Sequence, residues 1–244
     1  MEFPLTVIDS LLAFGIAFLG STLQGSVGFG LGLIGVPLLV LINPIFVPGP
    51  LLLSALTLTL LICYREHQSI DVKGIQWAIP GRIVGSVLGA ALLTLIPREN
   101  LSLLFGGMVL LAIGISLMGW EVPLTSLNLF GAGTVSGFMG TTSSIGGAPI
   151  ALIYQREKGS RLRGTLSGIF VFGTIISILS LVVIGHFGLQ EMLIAVVLIP
   201  GVILGFFLSS QTAKILDKGF TRPAVLIASA LSGSVVIIRS ILGF

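Results

Sequence analysis

Cysteine is nearly absent from this 244-residue sequence. Cys63 is the only one, so no intramolecular disulfide, cysteine metal cluster or dithiol relay can form. Charge is equally scarce: 9% of residues are Asp, Glu, Lys or Arg, against about 25% in a soluble domain. The acidic residues are Glu2, Asp9, Glu66, Asp71, Glu99, Glu121, Glu157, Glu191 and Asp217. None is expected at mid-membrane, where cation pumps and proton relays use a carboxylate. His67 and His186 fall at the ends of apolar runs, as surface histidines do. No Walker motif, H-E-x-x-H or placeable Ser/His/Asp set is present. The chain is therefore not expected to be an enzyme, to hold a metal or to need a cofactor. Residues 1–4, M-E-F-P, lack a basic n-region and a cleavage site, so no removable signal peptide is expected.

What the chain has is apolar sequence. Hydrophobic residues make up 55% of it, with a mean hydropathy of +1.15. The runs approach the roughly 20 residues that a helix needs to cross a bilayer, and the alternation of a barrel strand is absent. This is an integral membrane protein built of helices. The net charge of +3 does not imply nucleic acid, because the basic residues fall in short loops where cytoplasmic exposure explains them.

Two stretches break the apolar pattern. Residues 24–37 read Q-G-S-V-G-F-G-L-G-L-I-G-V-P, and 136–149 read S-G-F-M-G-T-T-S-S-I-G-G-A-P. Each glycine in a helix costs roughly 0.5–1 kcal/mol against alanine, so something there must need bare backbone. Sliding by 112 positions puts Gly25 on Gly137, Gly28 on Gly140, Gly35 on Gly147 and Pro37 on Pro149. Pro80-Gly81-x-x-x-Gly85 recurs as Pro200-Gly201-x-x-x-Gly205, and Arg98 falls near Arg222. Three coincidences in order mark an internal repeat.

The basic loops 65–73, 156–163 and 213–222 hold nine of the twelve Lys and Arg residues. Placing them in the cytoplasm sends the span 74–96 outward and its counterpart 190–212 inward. The expected fold is an all-α polytopic membrane protein of two inverted repeats. Each repeat is a broken, re-entrant-type helical hairpin plus three transmembrane helices. Repeat 1 is 1–119, with its hairpin at about 6–42 and spans at about 51–64, 74–96 and 101–118. Repeat 2 is 120–244, with its hairpin at about 127–154 and spans at about 164–184, 190–212 and 220–241. Together they form one integral membrane domain with both termini external.

Irregular backbone in a bilayer survives only where protein buries it or a cavity wets it. Two inverted breaks meeting at mid-depth would place helix N-termini around one site, and those favour an anion. The candidate binding residues are Gln24, Gly25, Ser26, Gly28 and Gly30 of the first break, and Gly140, Thr141, Thr142, Ser143 and Gly147 of the second. Ser144 adds a further neutral donor. The competing reading is close helix packing on small residues, which suffices for Gly85, Gly89, Gly168 and Gly173. Arg82, the one charge well inside a span, attracts substrate on one reading and snorkels to lipid phosphate on the other. Its repeat mate is the apolar Val202.

These stretches, with the two Pro-Gly-x-x-x-Gly spans, resemble the TauE/SafE sulfite exporter family of membrane permeases over almost the whole chain. The resemblance implies export of sulfite or organosulfonates across a prokaryotic inner membrane by a multi-pass protein. It leaves open which anion is moved. The leading expectation is a secondary transporter working by alternating access around a midplane anion site formed by the two hairpins. The alternative is an anion or small-solute channel with a fixed pore. The expected partners are a small sulfur-containing anion and membrane lipid, not nucleic acid. A homodimer is compatible with the sequence, which does not set the oligomeric state.

Overall fold

The computed structural model describes residues 5–118, 121–157, 159–216 and 221–242. Residues 1–4, 119 and 120 of the connector, Lys158, and Asp217 and Lys218 of the last basic loop lie outside them, as do the side chains of Arg98, Lys214 and Arg222. Among the described residues the regular structure is all helical, with ten α-helices and no strand. They are α1 (Val7–Val27), α2 (Leu31–Ile42), α3 (Gly49–Arg65), α4 (Val72–Leu95) and α5 (Leu101–Leu117), then α6 (Ser126–Ser143), α7 (Gly147–Ile153), α8 (Gly159–Val183), α9 (Leu189–Leu216) and α10 (Thr221–Leu242). By length and composition α1, α4, α8 and α9 are long and apolar enough to cross a membrane.

Local chemistry sets several of the ends. Thr6 and Asp9 form a reciprocal capping box at the start of α1, satisfying two backbone donors that a helix start leaves free. Asp71 caps α4 through the Gly74 N–H and also accepts the Tyr154 hydroxyl, tying the end of α7 to the start of α4. Pro37, Pro80 and Pro200 sit inside α2, α4 and α9. Bilayer helices tolerate such prolines when neighbours take up the freed carbonyls.

The breaks are shorter than the sequence suggested. Gln24, Gly25 and Ser26 form the last turn of α1, and Thr141, Thr142 and Ser143 the last turn of α6. Only residues 28–30 and 144–146 leave the helix. The hydroxyls explain the difference: Ser26, Thr142 and Ser143 donate back to the Thr22, Phe138 and Met139 carbonyls four residues earlier. A helix absorbs side chains that bond in this way. Each helix then ends on a left-handed residue, Gly28 at φ 102° and Ser144 at φ 63°. Their N–H groups close on the Gln24 and Gly140 carbonyls at 2.7 and 2.8 Å. These matching caps lie 116 positions apart, between the offset of 112 for the two glycine-rich stretches and 120 for the Pro-Gly spans.

The helices pack in exchanged pairs: α1 lies on α9 and α4 on α6, while α3 meets α8 and α5 meets α10. The first two pairs approach backbone to backbone. A Cβ at Gly85 would overlap the Thr134 carbonyl, and one at Gly205 would crowd the Phe18 carbonyl, which is the small-residue packing of membrane helices. Large apolar side chains such as Leu11, Leu19, Leu88, Leu179 and Phe207 point outward, where lipid would cover them. Polar ones point inward. Thr141 donates to Ser177, which also bonds Ser86, so hydroxyls join α4, α6 and α8 inside the bundle.

The two hairpin tips approach α3 from opposite ends. Gly25 at the end of α1 accepts a hydrogen bond from Arg65, the last residue of α3. Ser144 at the end of α6 donates to the Pro48 carbonyl, just before α3 begins.

Candidate functional site

The tips meet inside the bundle. A Cβ at Gly32 would overlap the Ser144 carbonyl, and one at Gly147 would press on Phe29 at 3.0 Å. Between the tips, α3 and α8 lies a cavity of about 50 Å³, measured by where the centre of a water molecule fits. A single water needs about 10–15 Å³ on that measure, so the space suits a few waters or one small ion. The first hairpin contributes Gln24, Phe29, Gly30 and Gly32 to its wall, and the second Gly140, Ser144, Gly146 and Gly147. Thr59 of α3, and Phe170 and Thr174 of α8, close the sides.

Arg82 supplies the charge. Its side chain lines the cavity and is 2% exposed, so it does not reach out to lipid phosphate. Nη1 donates to the Ser136 hydroxyl at 2.9 Å, and that hydroxyl donates in turn to the Gly146 carbonyl at the second tip. The guanidinium carbon stands 5.6 Å from the Phe170 ring centre, within range of a cation–π contact. Nε is buried without a hydrogen-bond partner. Among the described residues no carboxylate forms an ion pair with Arg82, and none lines the cavity. A Cβ at Gly173 would overlap Nε, and one at Gly140 would lie 3.2 Å from Nη2. The guanidinium fits because those positions are bare.

The backbone adds to the same sign. Gly32 and Leu33 stand in the first turn of α2, where N–H groups lack an intrahelical acceptor, and both line the cavity. The Leu31 N–H beside them is taken by the Gln24 side-chain oxygen at 3.1 Å. The negative C-terminal end of α1 is covered elsewhere, since Arg65 and Arg163 donate to the Gly25 and Ser26 carbonyls. The start of α2 turns its positive end toward the cavity, while the last turn of α6, with Gly140 and Ser144, brings a C-terminal end to the opposite wall.

Of the residues singled out in the sequence, Gln24, Gly30, Arg82, Gly140 and Gly147 line this cavity. Gly25, Ser26, Gly28, Thr141, Thr142 and Ser143 do not. Ser26 bonds Thr212 of α9, Thr141 bonds Ser177, and a Cβ at Gly28 would press on Leu166 at 3.2 Å. Phe170, Gly173 and Thr174 had no distinguishing signal, because each reads as ordinary membrane-helix sequence.

A family model described as Sulfite exporter TauE/SafE matches residues 13–236. The chain belongs to the TauE/SafE sulfite exporter family. It is a multi-pass membrane protein of a transporter family, and the TauE/SafE match spans both breaks, Arg82 and the cavity between them. No curated protein and no solved structure matches the chain.

Proposed function

We propose that this TauE/SafE protein is a secondary transporter that binds one small sulfur oxyanion, sulfite or an organosulfonate, in the cavity between the hairpin tips. The observation that carries the reading is Arg82, a buried cation that lines the cavity with no acid beside it among the described residues. Such a charge is costly in a bilayer, and an oxyanion would offset it. Arg82 would meet the anion with the fork of its guanidinium. The Gly32 and Leu33 amides would supply neutral donors, and Phe170 would keep the guanidinium flat against the wall.

The way the halves pack supports alternating access. Exchanging each helix for the one five later in chain order turns the α1–α9 pair into the α6–α4 pair and returns α3–α8 and α5–α10 to themselves. The ends of α1 and α6 also address opposite ends of α3, which supports an inverted relation. Each tip would then shield the anion from one side of the membrane. Rocking of the halves would release one tip at a time.

Purified protein in liposomes, loaded with sulfite or sulfoacetate and assayed with labelled substrate outside, tests the proposal. Saturable counterflow and trans-stimulation are expected. Conduction at channel rates would replace the carrier with a fixed pore, and absence of flux for every sulfur oxyanion would remove the proposal.

A further inference from the structure

Three charges meet where α1, α3 and α8 converge at the basic end of the bundle. Glu66 Oε1 accepts from Arg65 Nε at 3.0 Å and from Arg163 Nε at 3.1 Å. Arg65 also donates to the Gly25 carbonyl at 2.6 Å and the Ser209 hydroxyl at 2.9 Å, and Arg163 to the Ser26 carbonyl at 3.1 Å. The side chains of Arg65, Glu66 and Arg163 are 20%, 12% and 10% exposed. Two cations thus share one carboxylate in a half-dry site, leaving a positive charge spread over helix-end carbonyls.

The cluster stands over the cavity. Thr59 lines the cavity and Arg65 lies six residues further along α3. Phe170 lines it and Arg163 lies seven residues earlier on α8. At 1.5 Å per residue, the arginines sit about 9 and 10.5 Å beyond the cavity along two helices, both at the same end. Gln24 and Phe29 line the cavity, and the two carbonyls that the arginines hold fall between them in the chain. Freeing those carbonyls would free the first tip.

We propose that Arg65, Glu66 and Arg163 form an anion-responsive latch over the cavity, in which Glu66 holds the place that an arriving oxyanion takes as the latch opens. A sulfonate or sulfite presents the oxygen acceptors that the two guanidiniums already grip in Glu66. Exchange of one acceptor for the other keeps both cations paired while uncoupling α3 from α8. Substrate arrival at this face and release of the first tip are then one event. The latch rests on the reading of the cavity as an anion site, and its test separates the two.

Cys63 is the reporter, the sole cysteine, between Thr59 and Arg65 on α3 with its sulfur 3.8 Å from where a Cβ at Gly168 would stand. Full-length protein in nanodiscs is labelled with a water-soluble maleimide, with and without sulfoacetate, methanesulfonate or sulfate. At least one of these anions should speed labelling of the parent. Glu66→Gln should label about tenfold faster without anion and no longer respond to it. Arg82→Gln should keep the response, because the anion acts at the latch. Arg163→Lys keeps the charge but cannot reach Glu66 and the Ser26 carbonyl together, so it should label at an intermediate rate. That variant decides alone if Glu66→Gln does not fold. Parent rates in Glu66→Gln or Arg163→Lys, or no response of the parent to any of the three anions, would overturn the latch. Loss of the response in Arg82→Gln would also overturn it, by placing the anion's action in the cavity. An intact response together with normal transport by Arg82→Gln would sink the cavity reading alone.

Discussion

Arg82 and Gly173 work as a pair. The sequence pointed to the arginine by its position alone, since no other charge stands well inside a span. Where the side chain went was decided by the bare backbone at Gly173, one helix pair away, and by Ser136. Nothing local to α8 marks Gly173 as different from its other glycines. Arg82→Gln should weaken oxyanion binding about tenfold to a hundredfold, the worth of a hydrogen bond to a charged group, as read by titration of the purified protein. Gly173→Ala should produce a loss of similar size with Arg82 still present, because its Cβ takes the space of Nε. Wild-type affinity in Gly173→Ala would mean that the guanidinium does not need this seat. The neutral donors were less legible. Ser26, Thr142 and Ser143 looked like free hydroxyls in a loop, but a helix that continues one turn further turns them onto its own carbonyls.

Glycine does opposite jobs along the hairpins. Gly15 lies within α1 with nothing within 4 Å of where its Cβ would be, while Gly30 sits at φ 141° with Leu23 Cδ2 at 2.5 Å. Gly15→Ala should therefore stabilise the protein by about 0.5–1 kcal/mol. Gly30→Ala should cost about 1–3 kcal/mol in backbone strain and lower oxyanion affinity by shifting the start of α2. Thermal unfolding in detergent reads both signs, and equal shifts would contradict the distinction. The same duality set what the sequence revealed about the elements. Apolar runs and turn residues placed the helices within a few residues, with the largest difference at α8, which starts at Gly159 rather than near Gly164. The breaks were found by their glycines but overdrawn, because Gly25 and Gly137 serve helix packing on α9 and α4 rather than unwinding.

At the scale of the molecule the halves match in packing but not in chemistry. Arg82 of α4 has Val202 at its counterpart on α9, and both are buried. The first tip is held by Arg65 and Arg163, which share Glu66, and the second by the Ser144–Pro48 hydrogen bond and by Arg82 acting through Ser136. Among the described residues, the cation that lines the cavity is therefore carried by α4 alone, with an apolar residue at the matching Pro-Gly position of α9. On the proposed reading, a carrier that binds one anion between two tips would use one such cation. The arrangement requires that the loop after α3 and the loop before α9 face opposite sides of the membrane. Gln68 is exposed in the first of these loops, and Gln190 is exposed in the first turn of α9, beside the second. In a Cys63→Ala background, Gln68→Cys should be labelled by an impermeant maleimide only in inside-out vesicles, and Gln190→Cys only in intact cells. The basic residues around Gln68 set the sign of that expectation, and the single crossing made by α8 sets the opposition. Labelling of both positions from one side would leave α8 unable to cross, and with it the pairing of α3 against α8 across the cavity would lose its meaning as two gates.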